Sequence, residues 1–375
     1  MKIDIQFCMN FKKIGMILFM IFIAFISGFL VNMYDIYPSE IKEFYISNGN
    51  NNEDSIIFET DIGSLIHVTN NISKNEIKNN LINHLWEQNT LPNNELSKIE
   101  KNISLDKYSE LNNLESIDKL TIEMEYGVNS IAYLFKPSTS NDKLIIYHQG
   151  HRGDFFEGKQ TIAYFLEKNY TIIAFSMPLL GMNSQPVVDI PQFGKIKIHS
   201  HNQMELLETE TFSPIKFFVE PIILTMNYLE KNYNFDSYYM IGISGGGWTT
   251  TMAAAIDDRI SQSISVAGSY PMFLRSDTKN FGDYEQHNLE LYKIANYLDL
   301  YVMASVGEDR KFIQIFNLDD PCCFGGTSFQ EYEDYIVTTV EDFDDGYFKI
   351  YLDDTHREHK ISDHALEIIN NEFLD

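Results

Sequence analysis

Cysteine is scarce in this chain of 375 residues, which contains only Cys8, Cys322 and Cys323. The last two are adjacent, so a disulfide between them would close only a strained ring. The chain therefore has no disulfide framework and no cysteine spacing typical of a zinc site. We expect Cys322 and Cys323 to be buried thiols that pack as small hydrophobic side chains.

Basic residues are also few, since 28 lysines and arginines stand against 54 aspartates and glutamates, for a formal charge of −26. A surface this negative repels phosphate backbones, which excludes nucleic acid as an expected partner. Hydrophobic residues make up 44% of the chain and charged residues 22%. This composition is typical of a globular protein with a sizeable core.

Long apolar runs are absent except near the N-terminus, where Ile14 to Val31 contains no charge and follows Lys12 and Lys13. The run is just long enough to cross a bilayer, and no small-residue cleavage pattern ends it. We therefore predict that residues 1–33 are a cytoplasmic tail and a signal-anchor helix in the membrane. The preceding lysines place the rest of the chain outside the cytoplasm. Secretion after cleavage of a signal peptide is the alternative.

The remainder divides into two parts. Residues 34–118 read as a polar spacer and a small helical extension, with a helix over residues 73–88 that Ser73 would cap. From residue 119, apolar strands alternate with helices, which predicts an α/β fold: a mostly parallel central sheet covered by helices on both faces. Residues 181–214 fit no core element. They are typical either of a lid, with Phe193 or His201 lining the pocket, or of a surface loop.

In such sheets the ligand site lies beyond the carboxyl ends of the strands, and one motif there carries chemistry. The segment GISGG, residues 242–246, follows the apolar strand YYMIGIS and precedes a helix. It fits the pattern G-x-S-x-G, in which a serine occupies a strained strand-to-helix turn. Side chains at Gly242 and Gly246 would collide with neighbouring backbone. The helix N-terminus favours negative charge developing at Ser244.

From about residue 119 onward the chain resembles the α/β-hydrolases. The resemblance rests on GISGG, on the loop HQGHRG at residues 148–153, and on the chain order of serine, aspartate and histidine. It implies a catalytic triad. Ser244 matches the nucleophile, Asp320 in NLDDP matches the acid, and His359, which precedes a helical run, matches the base.

Neighbouring residues compete for two of these positions. Asp319 is the alternative acid, because Asn317 replaces the glycine expected at the start of the acid motif and leaves the register open. His356 is the alternative base, because it lies closer to the end of the last strand. His364 falls inside the predicted C-terminal helix and is a poor candidate.

The resemblance also implies an oxyanion hole built from two backbone N–H groups. Gly245, directly after the nucleophile, matches the first donor. His151, which follows Gly150, matches the second, with Gln149 as the alternative. We expect the imidazole rings of His148 and His151 to brace their loop and to take no part in catalysis.

We expect neither a metal nor another cofactor. The pairs His199/His201 and His356/His359 have spacings seen at metal sites, but neither has a convincing third ligand, and the second pair already serves the triad. The expected activity is hydrolysis of a carboxylic ester, with a small-molecule or glycan-linked substrate. A peptidase or amidase of the same fold and a non-catalytic binding protein on a hydrolase scaffold are the alternatives.

Overall fold

A computed structural model describes residues 60–374 of the chain. The predicted tail and signal-anchor helix, residues 1–33, lie outside the described residues, as does most of the polar spacer. Within residues 60–374, no helix combines the length and the apolar character needed to span a membrane.

The central element is a nine-stranded sheet, accompanied by a separate two-stranded hairpin. The strands are β1 (Lys98–Glu100), β2 (Leu114–Glu123), β3 (Asn129–Pro137), β4 (Lys143–His148), β5 (Thr171–Phe175), β6 (Val187–Ile190), β7 (Gly194–Lys197), β8 (Ser237–Ile243), β9 (Ile260–Val266), β10 (Lys311–Asn317) and β11 (Tyr347–Asp353). Their order in the large sheet is β1-β2-β3-β5-β4-β8-β9-β10-β11. From β5 to β11 all neighbours are parallel, and β1, β2 and β3 add an antiparallel edge.

Helices cover both faces of this sheet, as the alternation of strands and helices predicts. They are α1 (Asn71–Trp86), α2 (Lys159–Leu166), α3 (Lys216–Asn232), α4 (Gly245–Ile256), α5 (Tyr284–His287), α6 (Leu289–Ile294), α7 (Tyr297–Ser305), α8 (Glu333–Glu341) and α9 (Asp363–Leu374). Helices α2 and α9 contribute to one buried cluster, whereas α1, α3, α4, α7 and α8 contribute to the other.

Strand β4 illustrates how the sheet separates these two clusters. Leu144 and Ile146 belong to one of them, and Ile145 and Tyr147 belong to the other. Successive side chains of a strand point to opposite faces, so a strand buried on both faces is apolar throughout. This explains why the core strands read as continuous apolar runs.

Residues 60–118 belong to the same compact unit as the residues that follow them. The proposed boundary at 118/119 falls within β2, which pairs with β3. Helix α1 begins earlier than predicted, because Asn70 caps it in place of Ser73. The Asn70 side chain accepts hydrogen bonds from the N–H groups of Ile72 and Ser73, at 2.9 and 3.0 Å.

Residues 181–214 contain the antiparallel hairpin of β6 and β7, followed by a 3₁₀ helix at His201–Leu207. The hairpin has alternating buried and exposed residues, with Val188 and Ile190 facing the core. The segment is thus an ordered insertion between β5 and α3, and it packs on the same side of the sheet as α3 and α4.

Candidate active site

Ser244 lies at the turn between β8 and α4, where the predicted elbow is found. Its backbone has φ 57° and ψ −126°, a left-handed conformation that a residue with a side chain rarely adopts. Its N–H donates to the carbonyl of Val266 on β9 at 2.9 Å, which anchors the turn to the neighbouring strand. Such strain is typical of a serine that the fold holds exposed at a strand end.

The glycines around Ser244 permit close approaches of backbone. A Cβ atom on Gly242 would lie 2.0 Å from the carbonyl oxygen of Gly246, and one on Gly246 would lie 2.2 Å from that of His148. Gly247, for which the elbow pattern itself has no requirement, is also closely packed, although less tightly than Gly242 and Gly246. Its Cβ would lie 2.9 Å from Gly268 Cα, so that α4 packs directly against the loop after β9.

We expect Gly246→Ala to destabilise the fold by more than about 3 kcal/mol, because the clashing atoms belong to backbone that cannot move aside. Gly63→Ala is the matched control, since its nearest neighbours would be 3.7 Å away, an ordinary contact distance. Chemical denaturation of both variants measures the difference. A Gly246→Ala protein as stable as Gly63→Ala would contradict the tight packing of the elbow.

The structure brings His359 and Asp320 together. His359 Nδ1 lies 2.8 Å from Asp320 Oδ2, across loops that follow β11 and β10. The other ring nitrogen, Nε2, has no hydrogen-bond partner among residues 60–374. An imidazole held by a carboxylate at Nδ1 presents Nε2 to a nucleophile, and His359 and Ser244 line the same cavity.

Asp320 is almost completely buried, and every nearby group favours its ionised form. Oδ1 accepts the N–H groups of Cys322 at 2.8 Å and Cys323 at 3.3 Å, while Oδ2 accepts from Asn317 as well as His359. Burial by itself would raise the pKa of Asp320, but the hydrogen bond from His359 and those from Cys322 and Asn317 hold that pKa below its ordinary value. The carboxylate is therefore charged at neutral pH.

Asn317 stands where the acid motif has a glycine. It connects the loop after β10, which carries Asp320, with the loop after β11, which carries His359. Its side-chain amide donates to Asp320 Oδ2 at 3.0 Å and to the carbonyl of Lys360, beside His359, at 3.2 Å. The side chain is fully buried. Comparison with the motif leaves the register open here, whereas the structure shows that the Asn317 side chain connects Asp320 with the segment at His359.

We expect Asn317→Ala to reduce kcat about 10- to 100-fold with little change in KM, because a small displacement of the His359–Asp320 pair is costly while the cavity is unaltered. Steady-state kinetics on an ester substrate measure both constants. Asn280→Ala is a control, since Asn280 also braces this loop, through Phe324 N–H, but touches neither Asp320 nor His359. Equal kcat values for the two variants would remove the positioning role.

The alternative residues lie elsewhere. His356 Nε2 is 3.4 Å from Asp353 Oδ2, and Asp353 is a buried carboxylate that also accepts from Thr355. Asp319 is solvent-exposed and pairs with Arg357 at 3.1 Å. Neither Asp319 nor His356 is part of the contact between Asp320 and His359.

The loop after β4 lies against the elbow. A Cβ on Gly150 would come within 2.7 Å of Ser244 Cβ, so the loop passes directly over the serine. The Gln149 N–H donates to Phe175 O at 2.9 Å and is therefore engaged in the sheet. No hydrogen bond of the His151 N–H is found within residues 60–374, and Gly245 begins α4, where N–H groups lack helical acceptors.

His148 is buried at the end of β4. Its Nδ1 lies 2.9 Å from the carbonyl oxygen of Gln149, and its ring stacks on Phe175. Burial lowers the pKa of His148 to about 4, so the imidazole is neutral at physiological pH.

A cavity of about 560 Å³ opens at the elbow. Most of its lining residues have polar or charged side chains, and the charges are of both signs. The lining residues are Tyr147, Gln149, Gly150, His151, Arg152, Glu157, Gly158, Gln160, Thr161, Ile243, Ser244, Cys322, Glu358, His359, Lys360 and Ile361. No residue of 181–214 lines it. The expectation that Phe193 or His201 lines the pocket was wrong: Phe193 faces solvent, and His201 is buried behind His151.

The two adjacent cysteines are free thiols, and only Cys323 is buried. Cys322 is exposed and lines the cavity, which corrects the expectation that both are core residues. Their sulfur atoms lie 2.8 Å apart, and the hydrogen bond from Cys323 lowers the pKa of the Cys322 thiol. Cys322, Cys323 and His359 lie close enough together that they could hold a metal ion.

Comparisons with known proteins agree with this architecture. Residues 212–372 match a family model described as PhoPQ-activated pathogenicity-related protein. The sequence matches no curated protein.

Several solved structures have a similar fold. The acetyl xylan esterase from Paenibacillus sp. R4 is 13% identical over 84% of this chain and 98% of its own, with a TM-score of 0.53. Acetyl xylan esterase 1 from Thermoanaerobacterium sp. JW/SL YS485 is also 13% identical, over 83% and 96%, with a TM-score of 0.52. The glucuronoyl esterase from Solibacter usitatus is 12% identical over 80% and 91%, with a TM-score of 0.53. The parallel sheet, the serine elbow and these similarities together show that the chain has the α/β-hydrolase fold.

Proposed function

We propose that this chain is a serine hydrolase that cleaves a carboxylic ester through an acyl-enzyme intermediate. The observation that carries the proposal is the pairing of His359 with Asp320 beside a cavity that Ser244 lines from a strained elbow. The roles of these residues follow from their chemistry.

His359 Nε2 takes the proton of the Ser244 hydroxyl as the oxygen attacks the ester carbonyl. The same imidazolium then protonates the departing alcohol, leaving an acyl group on Ser244. In the second half, His359 deprotonates water, which attacks the acyl carbon and releases the acid and the free serine. Asp320 fixes the tautomer of His359 through Nδ1 and stabilises its charged form throughout.

The tetrahedral oxyanion needs two preorganised donors. The N–H of Gly245 at the start of α4 is the first donor in this proposal, and the N–H of His151 is the second. Gln149 is less suitable because its N–H already donates to Phe175. The position of Gly150 against Ser244 supports the choice of this loop.

The cavity favours a polar ester over a long-chain lipid. Arg152, Glu157, Glu358 and Lys360 are among its lining residues, and few aliphatic side chains are present to bury an acyl tail. The shared fold with acetyl xylan and glucuronoyl esterases supports an ester bond. Small-molecule or glycan-linked esters suit a cavity of this size with charged side chains of both signs in its lining.

A panel of p-nitrophenyl esters of increasing acyl length, assayed beside the matching p-nitroanilides, tests this proposal. We expect kcat/KM to be highest for acetyl esters and to fall about tenfold or more for chains too long for a polar site. Hydrolysis of anilides at rates equal to the esters would favour the amidase alternative. Absence of hydrolysis on every substrate would favour a binding protein.

We further propose that the hydrolase unit is held outside the cytoplasm by the apolar segment Ile14–Val31. The proposal rests on the sequence, because this segment precedes the described residues. Treatment of intact expressing cells with a non-permeant protease tests it: digestion of the hydrolase unit while it fractionates with the membrane is expected. Recovery of the chain in the medium would indicate cleavage, and protection within cells would place it in the cytoplasm.

A further inference from the structure

A second cluster of reactive side chains lies next to the elbow and takes no part in the proposed reaction. His151 comes from the loop after β4, His201 from the 3₁₀ helix that follows β7, and Asp283 and Glu285 from the region of α5. One nitrogen or oxygen atom of each residue lies within 4.8 Å of the corresponding atoms of the others. Three segments that are distant in sequence therefore converge on one point.

The distances within this cluster are short. His151 Nε2 is 3.0 Å from His201 Nδ1, 3.1 Å from Glu285 Oε1 and 3.2 Å from Asp283 Oδ2. His201 Nδ1 is 3.2 Å from Glu285 Oε2. Around a tetrahedral ion with bonds of about 2.0 to 2.1 Å, neighbouring ligand atoms are separated by about 3.3 Å. The four distances given above are therefore close to the spacing that a four-coordinate site requires, and the other ligand atoms lie within 4.8 Å of one another.

Glu285 has no exposed surface, yet neither of its carboxylate oxygens makes a hydrogen bond of acceptable geometry within residues 60–374. His201 is 3% exposed. A buried carboxylate without donors is costly unless a cation compensates it. Both oxygens of Glu285 point at imidazole nitrogens, so the compensating charge must lie among these side chains.

The orientation of His201 limits what that charge can be. Its Nε2 lies 2.9 Å from the carbonyl oxygen of Pro178, a contact that requires a proton on Nε2. In the neutral ring, Nδ1 then has a lone pair that faces His151 Nε2 and Glu285. A ligating histidine whose other nitrogen donates to a backbone carbonyl is the arrangement that metal sites use to fix the ring.

We propose that His151 Nε2, His201 Nδ1 and one carboxylate oxygen each from Asp283 and Glu285 bind a divalent transition metal ion of the zinc class. Two neutral imidazoles and two carboxylates make an N₂O₂ set whose charge a 2+ ion balances. Nitrogen and oxygen ligands in tetrahedral spacing suit Zn²⁺. In the sequence, His201 forms a candidate metal pair only with His199, and that pair has no third ligand. The structure instead places His201 beside His151, Asp283 and Glu285, which come from remote segments.

The ion would act as a clamp. It would join the loop after β4, the insertion at 181–214 and the α5 region, and would fix the His151 ring against the N-terminus of α4. A Cβ on Gly245 would lie 2.5 Å from His151 Cε1, so this ring is in direct contact with the elbow. The site shares only His151 with the proposed hydrolysis, where the backbone N–H of that residue is an oxyanion donor, and a metal measurement does not require activity.

The test uses the full, untagged chain in detergent, with Cys322→Ser and Cys323→Ser substitutions so that the thiol pair cannot bind metal. After chelation, reloading with Zn²⁺ and dialysis, elemental analysis should find about one zinc per chain. Loading with Co²⁺ should give the visible absorption bands of a four-coordinate ion. Glu285→Gln and Asp283→Asn should weaken Zn²⁺ binding by at least about tenfold.

His199→Ala is the matched control, because His199 is exposed two residues before His201 and should leave the zinc content unchanged. Asp283 is partly exposed, so Asp283→Asn should fold even if Glu285→Gln does not. A chain that retains no zinc and shows no cobalt bands, or variants that bind as the parent does, would overturn the proposal. In the first case protons on His151 and His201 would supply the compensating charge.

Discussion

Ser244→Ala should lower kcat for ester hydrolysis by about 10³- to 10⁶-fold, because the variant lacks the hydroxyl oxygen that carries the acyl group in the proposed reaction. The residual rate comes from substrate binding and the oxyanion donors alone. Substrate affinity should change little, since the methyl group of alanine fits the space of the serine side chain. Single-turnover kinetics with an acetyl ester measure the chemical step directly.

Ser265→Ala is the control for this substitution. Ser265 is a buried serine on the neighbouring strand β9, where it pairs with Gly242, and its hydroxyl has no hydrogen-bond partner within the described part of the chain. Its activity should stay near that of the parent. A Ser244→Ala protein as active as Ser265→Ala would mean that the nucleophile is another residue.

His359→Ala should lower kcat by about 10⁴-fold or more, since the serine hydroxyl would lose its base and the leaving alcohol its acid. His356→Ala, three residues away, should keep activity within about threefold, because His356 pairs with Asp353 and not with Asp320. The pair of variants separates the two histidines that the sequence leaves in competition. Ester hydrolysis at neutral pH, with folding checked by circular dichroism, is the measurement.

The opposite result, an inactive His356→Ala and an active His359→Ala, would show that His356, near the end of β11, is the base. The hydrogen bond that His359 donates to Asp320 would then be structural. Loss of activity in both variants without loss of fold would point to a wider role of the loop after β11.

The elbow and the parallel sheet could be predicted from the sequence because both depend on local signals. A continuous apolar strand such as β8, followed by glycines around Ser244 and then small residues, has few alternative structures. The assignment of Ser244, Asp320 and His359 to the triad has another source, because it follows from the resemblance to the α/β-hydrolases. The resemblance and the fold are confirmed, whereas the catalytic roles stay predictions.

Features that depend on distant contacts could not be predicted. Nothing local indicates that His201 meets His151 and Glu285, since loops from three parts of the chain create that contact. In the sequence, Asn317 is only a departure from the motif glycine. Its hydrogen bonds to Asp320 and to the carbonyl of Lys360 are seen only in the structure. The cap at Asn70 could have been found, because its side chain is a strong cap and α1 follows it directly.

Covalent labelling by a fluorophosphonate probe tests the central claim most directly, because the probe reacts only with a serine activated by its base. Incubation of the full chain, followed by digestion and mass spectrometry, should place a single adduct on Ser244. The adduct should be absent from Ser244→Ala and much slower to form in His359→Ala. An unlabelled parent chain, or an adduct retained in Ser244→Ala, would contradict the account.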